Sequence, residues 1–364
     1  MHFVEPGFGP LDPSQRGRVH VKLEDVAVAA GVSLSTASRA LRGHSAVNDR
    51  TRRRVQSAAE RLGYEPNRMA SALRARTSPF IGIVVPDLTI PFFALVVKAA
   101  QDVLENAGFQ VLVMNTDRHA QQEREALRTL LAHRANGVLL ATSGGYEDSH
   151  QLPLVFFANF EAAAPVARVA LSNREGVALL VEHVLEHGHT RVAYVGGQSN
   201  VTSGSERLAA FGETMRAAGM GDSMRVRLSD SWSPASAEAA VIDLLDDAEP
   251  PTAIVAGGDT FALGAIKAIR GRGLRIPEDV ALVSFQNPDR VGGVIEPPLT
   301  TLAAQERELG QHAASLLLHL LSVSDHHAGA TEVRLPATLI VRRSCGCGLP
   351  ADGTGTANVL AALP

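Results

Sequence analysis

Beyond Pro79 the sequence alternates short, almost unbroken apolar runs with stretches of helical periodicity, and it does so in two series. FIGIVV, FQVLVM, GVLLA and LVFFA come first, separated by PFFALVVKAAQDVLENAG and REALRTLLAHRA; RVAYVGG, TAIVAGG and ALVSF follow, separated by ERLAAFGETMRAAG and FALGAIKAIRGRG. A strand covered on one face alternates apolar with polar residues, whereas a strand covered on both faces reads as a continuous apolar run. Runs of the second kind, linked by amphipathic helices, predict an α/β architecture of parallel sheet with helices on either side, and two series predict two doubly wound lobes. Ligands in such folds sit outside the carboxyl ends of the strands, so the loops after each run are where binding residues belong.

At 364 residues the chain exceeds one ordinary core and has room for two or three domains. Apolar residues make up 45% and charged residues 20%, the balance of a soluble globular protein, and no run approaches the ~18 apolar residues of a membrane span. Residues 1–19 carry Pro6, Pro10 and Pro13 with three glycines and no apolar core, which reads as a disordered arm or a misassigned start rather than a signal peptide. A cytoplasmic location is expected.

The net charge of −4 hides a division. Residues 20–77 hold 11 Lys and Arg against 5 Asp and Glu, a net of +6, residues 1–19 are neutral, and the remainder carries −10. A basic head on an acidic body implies a polyanion bound at one end. Within that head, VKLEDVAVAAGVSLSTASRALRG places apolar residues at Val26, Ala29 and Ala30, then Gly31, then a second periodic run through Ala37 and Leu41. Gly31 can end one helix in the left-handed conformation, and Ser33 can cap the next. Two helices joined so tightly form a helix-turn-helix, whose second helix points its first turn into the DNA major groove. Leu34, Ser35, Ser38 and Arg39 then face base edges, with Arg39 suited to bidentate pairing with guanine. A third helix is capped by Asn48 or Asp49, buries Val55, Ala58, Ala59 and Leu62, and closes at Gly63, leaving Arg52, Arg53 and Arg54 in solvent or on phosphate.

These stretches, with RTRRRVQSAAERLGYEPNRMASALRART, IGIVVPDLTIPFF, SNREGVALLVEHVLEHGHTRVAYVGG, GGDTFALGAIKAIRGRGLRIPEDVALVSF, PPLTTLAAQERELG and LPATLIVRRSCG, resemble the lactose repressor (LacI/GalR) family of bacterial transcription regulators from Val19 to Cys345. The resemblance implies a homodimeric, sequence-specific DNA-binding regulator, read as a repressor, on a pseudo-palindromic operator. It also implies a periplasmic-binding-protein-like clamshell with crossovers near Leu171 and Leu299 and a small effector, a sugar or other metabolite, in its cleft. The expected division is an arm at 1–19, a helix-turn-helix head at 20–66, a hinge helix and linker at 67–78, and a body at 79–344. Within the body, lobe 1 is expected at about 79–171 and 301–330 and lobe 2 at about 172–300 and 331–344, with a flexible tail at 345–364. The DNA-contacting set implied is Lys22, Ser33, Leu34, Ser35, Thr36, Ser38, Arg39, Arg42, Asn48, Thr51 and Tyr64, joined by Asn67, Ala70, Leu73 and Arg74 of the hinge. Two helical turns as short as that hinge are unstable alone, so it is expected to be a linker off DNA and a minor-groove helix on it, with Leu73 as the wedge.

In the body, Phe92 and Phe93 could stack on a flat ligand or pack in the core. Arg207 matches the family's cleft arginine, with Ser203 as a polar neighbour, and Trp232, the one tryptophan, its aromatic cleft position, with core packing as the alternative. Asp259 could bind ligand or cap the following helix. Where many members have cleft aspartates this chain has Ala158 followed by Asn159, and Gln286; Ser172 replaces the aspartate of an Asp–Asn pair at the lobe crossover. Losing two carboxylates removes the usual acceptors for sugar hydroxyls, which points to a ligand that is less polar, or anionic and held by Arg207, or absent.

No catalytic or metal constellation is expected. The spacings G-x-S-x-G, G-x-G-x-x-G and G-x-x-x-x-G-K-[ST] are missing. His183 and His187 have the four-residue spacing of helical ligands, with His189 beyond, but a helix ending at Gly188 accounts for them as cations near its negative end. Cys345 and Cys347, one residue apart, could give a metal two thiolates, yet zinc takes four ligands and no matching pair lies nearby in the sequence. A solute-binding protein would need a signal peptide and no basic head; a DNA-binding regulator without small-molecule control remains compatible with the missing carboxylates.

Overall fold

The computed structural model describes residues 21–41, 44–64, 79–147, 152–197, 201–229, 231–285, 295–303, 305–323 and 331–347, in two units divided after Thr77. The arm at 1–19 and the hinge at 67–78 lie outside the described residues.

The first unit holds α1 (Leu23–Ala29), α2 (Leu34–Leu41) and α3 (Asp49–Leu62). Gly31 takes φ +57, the left-handed residue the tight turn demands. Asn48 Oδ1 accepts from Thr51 N at 2.8 Å to start α3, and Gly63 at φ +64 ends it. Val26, Ala27, Ala30, Ala37, Ala40, Val47, Val55, Ala58 and Ala59 form the core, mostly small side chains that let three short helices approach closely. Two expected core positions differ: Ala29 is exposed, its place taken by Ala27, and Leu62, the last residue of α3, is 38% exposed.

The second unit contains two six-stranded sheets. The first comprises β1 (Phe80–Val85), β2 (Gln110–Asn115), β3 (Gly137–Leu140), β4 (Leu154–Phe157), β5 (Ala167–Leu171) and β11 (Glu332–Leu335), in the order β11-β5-β4-β3-β1-β2 and parallel throughout. The second comprises β6 (Val192–Gly196), β7 (Arg225–Leu228), β8 (Ala253–Ala256), β9 (Ala281–Ser284), β10 (Thr300–Leu302) and β12 (Leu339–Ile340), ordered β12-β10-β9-β8-β6-β7. Only β12 runs antiparallel to its neighbour among these strands. The helices are α4 (Pro91–Asn106), α5 (Ala120–Ala132), α6 (Asn173–Glu186), α7 (Thr202–Ala217), α8 (Pro234–Leu245), α9 (Asp259–Gly271) and α10 (Glu306–Ser322). Central strands such as β3 and β8 are buried at every position, as helices on both faces require. In both sheets the strand order reverses beside the first strand, at β1 and at β6, and the crevice at that point is where such sheets bind ligands.

The expected lobe division needs correction at its C-terminal end. Strand β10 pairs with β9 and stays in lobe 2, so the second crossover falls after Leu302 instead of near Leu299. Strand β11 pairs with β5 from Glu332↔Arg168 to Leu335↔Leu171 and belongs to lobe 1, to which α10 also packs through α4 and β3 to β5. The chain then returns to lobe 2 at residues 336–338, a third crossover. Pro336, which has no amide to donate, ends β11 there. The tail expectation fails for its first residues, because Cys345 is 2% exposed and part of the core.

Candidate functional site

On the head, Ser33 Oγ accepts from Thr36 N at 3.2 Å and lies 2.8 Å from Thr36 Oγ1, fixing the start of α2. Leu34, Ser35 and Arg39 are exposed, Thr36 and Ser38 half-buried. An apolar side chain left 43% exposed at the first turn, as Leu34 is, has surface to give to a partner. Lys22 is exposed just before α1, its amide donating to Asp25 Oδ2 at 2.8 Å. Thr51 is held by the Asn48 cap, and Tyr64 packs half-buried on the head core. The three arginines differ from one another: Arg53 is exposed, but Arg52 pairs with Asp49 at 2.9 Å and donates to the carbonyls of Val47 and His44 at 3.1 and 3.3 Å. Arg52 therefore pins the loop before α3 and is not the freely solvated or phosphate-facing side chain expected. Arg42, Asn67, Ala70, Leu73 and Arg74 lie outside the described residues.

In the body, a cavity with an empty volume of about 440 Å³, open mouth included, is lined by Ile90, Phe92, Phe93, Arg118, Ala158, Asn159, Leu171, Asn173, Ser203, Arg207 and Trp232. Each lies at or beyond the carboxyl end of a strand: Ile90, Phe92, Phe93, Arg118, Ala158, Asn159 and Leu171 at β1, β2, β4 and β5 in lobe 1, and Ser203, Arg207 and Trp232 beyond β6 and β7 in lobe 2, with Asn173 opening α6 at the crossover after β5. Six of the expected residues, Phe92, Phe93, Asn159, Ser203, Arg207 and Trp232, are thus brought together. The phenyl rings of Phe92 and Phe93 meet edge to face at 5.1 Å and both belong to the core while facing the cavity, so packing and lining are not alternatives there.

Arg207 lies one turn beyond Ser203 on α7 and is only 4% exposed. Its Nε donates to Asn173 Oδ1 at 2.8 Å, its Nη1 to the carbonyl of Gly257 at 2.6 Å, and the guanidinium sits 3.6 Å from the centroid of Phe285. Burial lowers its pKa to about 10, against the pull of Tyr194, Asp259 and Glu206, which leaves it a cation at neutral pH. Asn173 is itself held by Glu206, whose other oxygen accepts from Arg334 of β11 at 2.9 Å. That ion pair joins the lobes, as does the hydrogen bond from the Thr202 hydroxyl to the carbonyl of Phe160.

Arg118 escaped the sequence reading. Asp117 and Arg118 take φ +46 and +62 in succession, conformations that L residues adopt rarely, and Arg118 lies 4.4 Å from the centroid of Trp232 across the cleft. Trp232 in turn packs on Phe261 and over Gly197, where a Cβ would land 2.5 Å from Cε2 of the indole. Burial holds the pKa of Arg118 down to about 10, partly offset by Asp87; Asp87 Oδ2 stands 4.0 Å from Arg118 Nε, which makes no hydrogen bond. Asn159 Oδ1, after Ala158 at φ +59, is buried without a partner too. Unpaired buried donors and acceptors are rare, and these two stand at the cavity. The sequence signal for Arg118 was only a charged residue after β2; Asn173 was visible as the asparagine of LSN.

One expectation is not met by placement. Asp259 neither lines the cavity nor caps α9: Gly258 is the cap residue, and Asp259 sits inside the first turn with Oδ1 lacking a partner. Burial, aided by Glu306 and opposed by Arg207, raises its pKa to about 7. Gln286 lies outside the described residues. Among the described lining residues there is no carboxylate. A further surprise lies at the other end of α6, where His183 and His187 meet Cys347, although sequence distance separated the pairs.

Residues 22–67 match the model for bacterial regulatory proteins of the lacI family, and residues 181–345 that for a periplasmic binding protein-like domain. Over 329 residues the chain is 31% identical to the HTH-type transcriptional repressor CytR of Escherichia coli (strain K12), covering 88% of this chain and 95% of that protein. The chain belongs to the lacI family. It is 29% identical to the transcriptional regulator DegA of Bacillus subtilis (strain 168), over 88% and 96% of the two chains. The lac repressor dimer bound to operator and the anti-inducer ONPF superposes with a TM-score of 0.80 at 28% identity, over 89% of this chain and 99% of that one. This lacI-family member is accordingly a DNA-binding transcriptional regulator, and its relatives are regulators, not enzymes. No helix among the described residues is long and apolar enough to cross a membrane.

Proposed function

We propose that the protein is a repressor that binds a pseudo-palindromic operator as a homodimer and is switched by a small molecule in the cavity between its lobes. The observation that carries this reading is the cavity: a buried, positioned arginine and two residues that hold unpartnered buried polar atoms, Arg118 and Asn159, line the space between two lobes. An effector with an anionic group and a planar or apolar body fits better than a neutral polyol, because two guanidiniums and three aromatic side chains line the space without a described carboxylate. The remaining N–H groups of Arg207 would take the anion, and Asn159 a donor group.

Such a ligand changes the balance between lobe arrangements by its difference in affinity for them. The Arg118–Trp232 stack, the Thr202–Phe160 bond and the Arg334–Glu206 pair are the contacts that change. Dimerisation finds support in Leu112 and Val113, 36% and 39% exposed on the edge strand β2, since a second copy would cover these apolar side chains. Arg39 is the expected base reader, and the binding constant should fall steeply with salt.

Selection of bound DNA from a random pool, followed by a screen of organic acids, nucleobases and sugars for release or enhancement of binding, tests the reading. A response to anions that disappears in Arg207→Ala is expected. An operator-bound protein that responds to no metabolite would overturn control through the cavity.

A further inference from the structure

Helix α6 begins at Asn173 in the cavity and ends about 20 Å away at a cluster the cleft does not use. His187 Nε2 lies 2.9 Å and His183 Nε2 3.3 Å from Cys347 Sγ, and one ligating atom from each of the three residues falls within 4.8 Å of the others. Cys345 Sγ is 3.0 Å from Cys347 Sγ. The residues lie some 160 positions apart, on the last turn of α6 and in the segment after β12. The helix-dipole role expected for the histidines suits His187, exposed at the end of α6, but not His183, which is only 7% exposed.

Hydrogen bonding decides where the protons are. His187 Nδ1 lies 2.7 Å from the carbonyl of His183; a carbonyl only accepts, so Nδ1 carries a hydrogen, and in the neutral ring Nε2 is the atom that offers a lone pair toward Cys347. Histidine ligands of metals are oriented in this way, by donating the other ring N–H to a backbone carbonyl. Thr300 Oγ1 accepts from Arg342 N at 2.8 Å, and its hydroxyl donates to Cys345 Sγ at 3.1 Å, which favours sulfur as a thiolate. A single thiol hydrogen on Cys347 cannot serve two imidazole nitrogens at once, whereas one cation can draw on every lone pair.

We propose that His183, His187, Cys345 and Cys347 form a binding site for a tetrahedral, thiophilic divalent ion of the zinc class. Two thiolates balance the charge of the ion, and two sulfurs with two imidazoles are a closed structural set. Ligand atoms around zinc stand roughly 3.3–3.8 Å apart, as bond lengths of about 2.0–2.3 Å require, so the contacts of Cys347, at 2.9–3.3 Å, need to open slightly and Cys345 to turn toward the ion. Bound there, the ion staples the C-terminal segment to the helix whose first residue positions Arg207.

The test uses the full chain, purified under reducing conditions, freed of metal by dialysis and titrated with Co²⁺. One tightly bound ion per chain is expected, with thiolate-to-cobalt charge transfer, intense visible bands of tetrahedral geometry, and displacement by Zn²⁺. His187→Leu and Cys347→Ser, which change the less buried pair, should each abolish the tetrahedral spectrum while circular dichroism stays unchanged; zinc should raise the melting temperature of the parent and not of these variants. Absence of binding, a weak octahedral spectrum, binding undiminished in both variants, or a Cys345–Cys347 disulfide persisting without oxidant would each overturn the site. None of these readouts depends on the cleft having an effector.

Discussion

The two walls of the cleft hold their residues in different ways. Lobe 2 presents Asn173, Ser203 and Arg207 from the opening turns of helices, cross-braced by Glu206 and the carbonyl of Gly257. Lobe 1 presents apolar side chains, Ile90, Phe92, Phe93, Ala158 and Leu171, and its two polar groups, Arg118 and Asn159, come from left-handed turns with atoms left unpaired. One wall is pre-organised and satisfied, the other apolar and incompletely bonded. The difference teaches that lobe 2 is built to fix a ligand's charge, and lobe 1 to close over its body and be completed by it.

Breaking the satisfied wall should have the largest effect. Arg207→Ala removes a charge-assisted hydrogen bond to ligand and strands Asn173 Oδ1 and the carbonyl of Gly257, so effector affinity should fall by about 100-fold and stability by roughly 1–3 kcal/mol; isothermal titration and chemical denaturation measure the two. On the opposite wall, Arg118→Ala removes a stacked cation worth about 1–2 kcal/mol when desolvated, and effector affinity should fall about tenfold, with operator affinity retained. Equal losses from the two variants would erase the contrast between the walls.

A pH effect sharpens the comparison, because Asp259 belongs to the surroundings of Arg207 and not to the cavity. Its carboxyl binds a proton more tightly folded than unfolded, with pKa raised from 3.8 to about 7. The native state then loses stability as pH rises from 3.8 toward 7, and the penalty is complete above 7. Asp259→Asn should remove that slope and melt higher than the parent at pH 8; a parent-like pH profile would show that Asp259 does not cause it. On the head, Arg39→Ala should cost about 1–3 kcal/mol at particular base pairs, and Arg53→Ala should have the smallest effect, weakening all sequences alike and flattening the salt slope by about one. Indistinguishable base profiles in a binding selection would reject Arg39 as the reader.

The architecture was legible because apolar runs and helical periods are local, and so were the helix-turn-helix, from Gly31 and the Ser33 cap, and most of the cleft, where the loops after strands gave the region and the family resemblance gave Ser203, Arg207 and Trp232. What escaped was set by chain returns. Nothing near Glu332 announces that EVRL joins Arg168 to Leu171 in the other lobe; only Pro336 marks the break. Cys347 could not be matched to His183 and His187 because the helix and the C-terminal segment meet only once lobe 2 is closed. Arg118 was hidden for a different reason: two consecutive left-handed residues aim it, and neither is glycine.

Three passages between the lobes also set an order of manufacture. The outer edge of β5 is complete only when Glu332–Leu335 pairs with it, and α10 supplies the cover for α4 and the strands β3 to β5. At about 5–20 residues per second, a ribosome needs roughly ten to thirty seconds to travel from the first passage to the last strand of lobe 1. Through that interval the nascent lobe carries an open strand edge and a bare apolar flank. A chain that stops short of residue 335 leaves both halves unfinished, so a messenger truncated even near its end yields material for proteases rather than a weakened regulator.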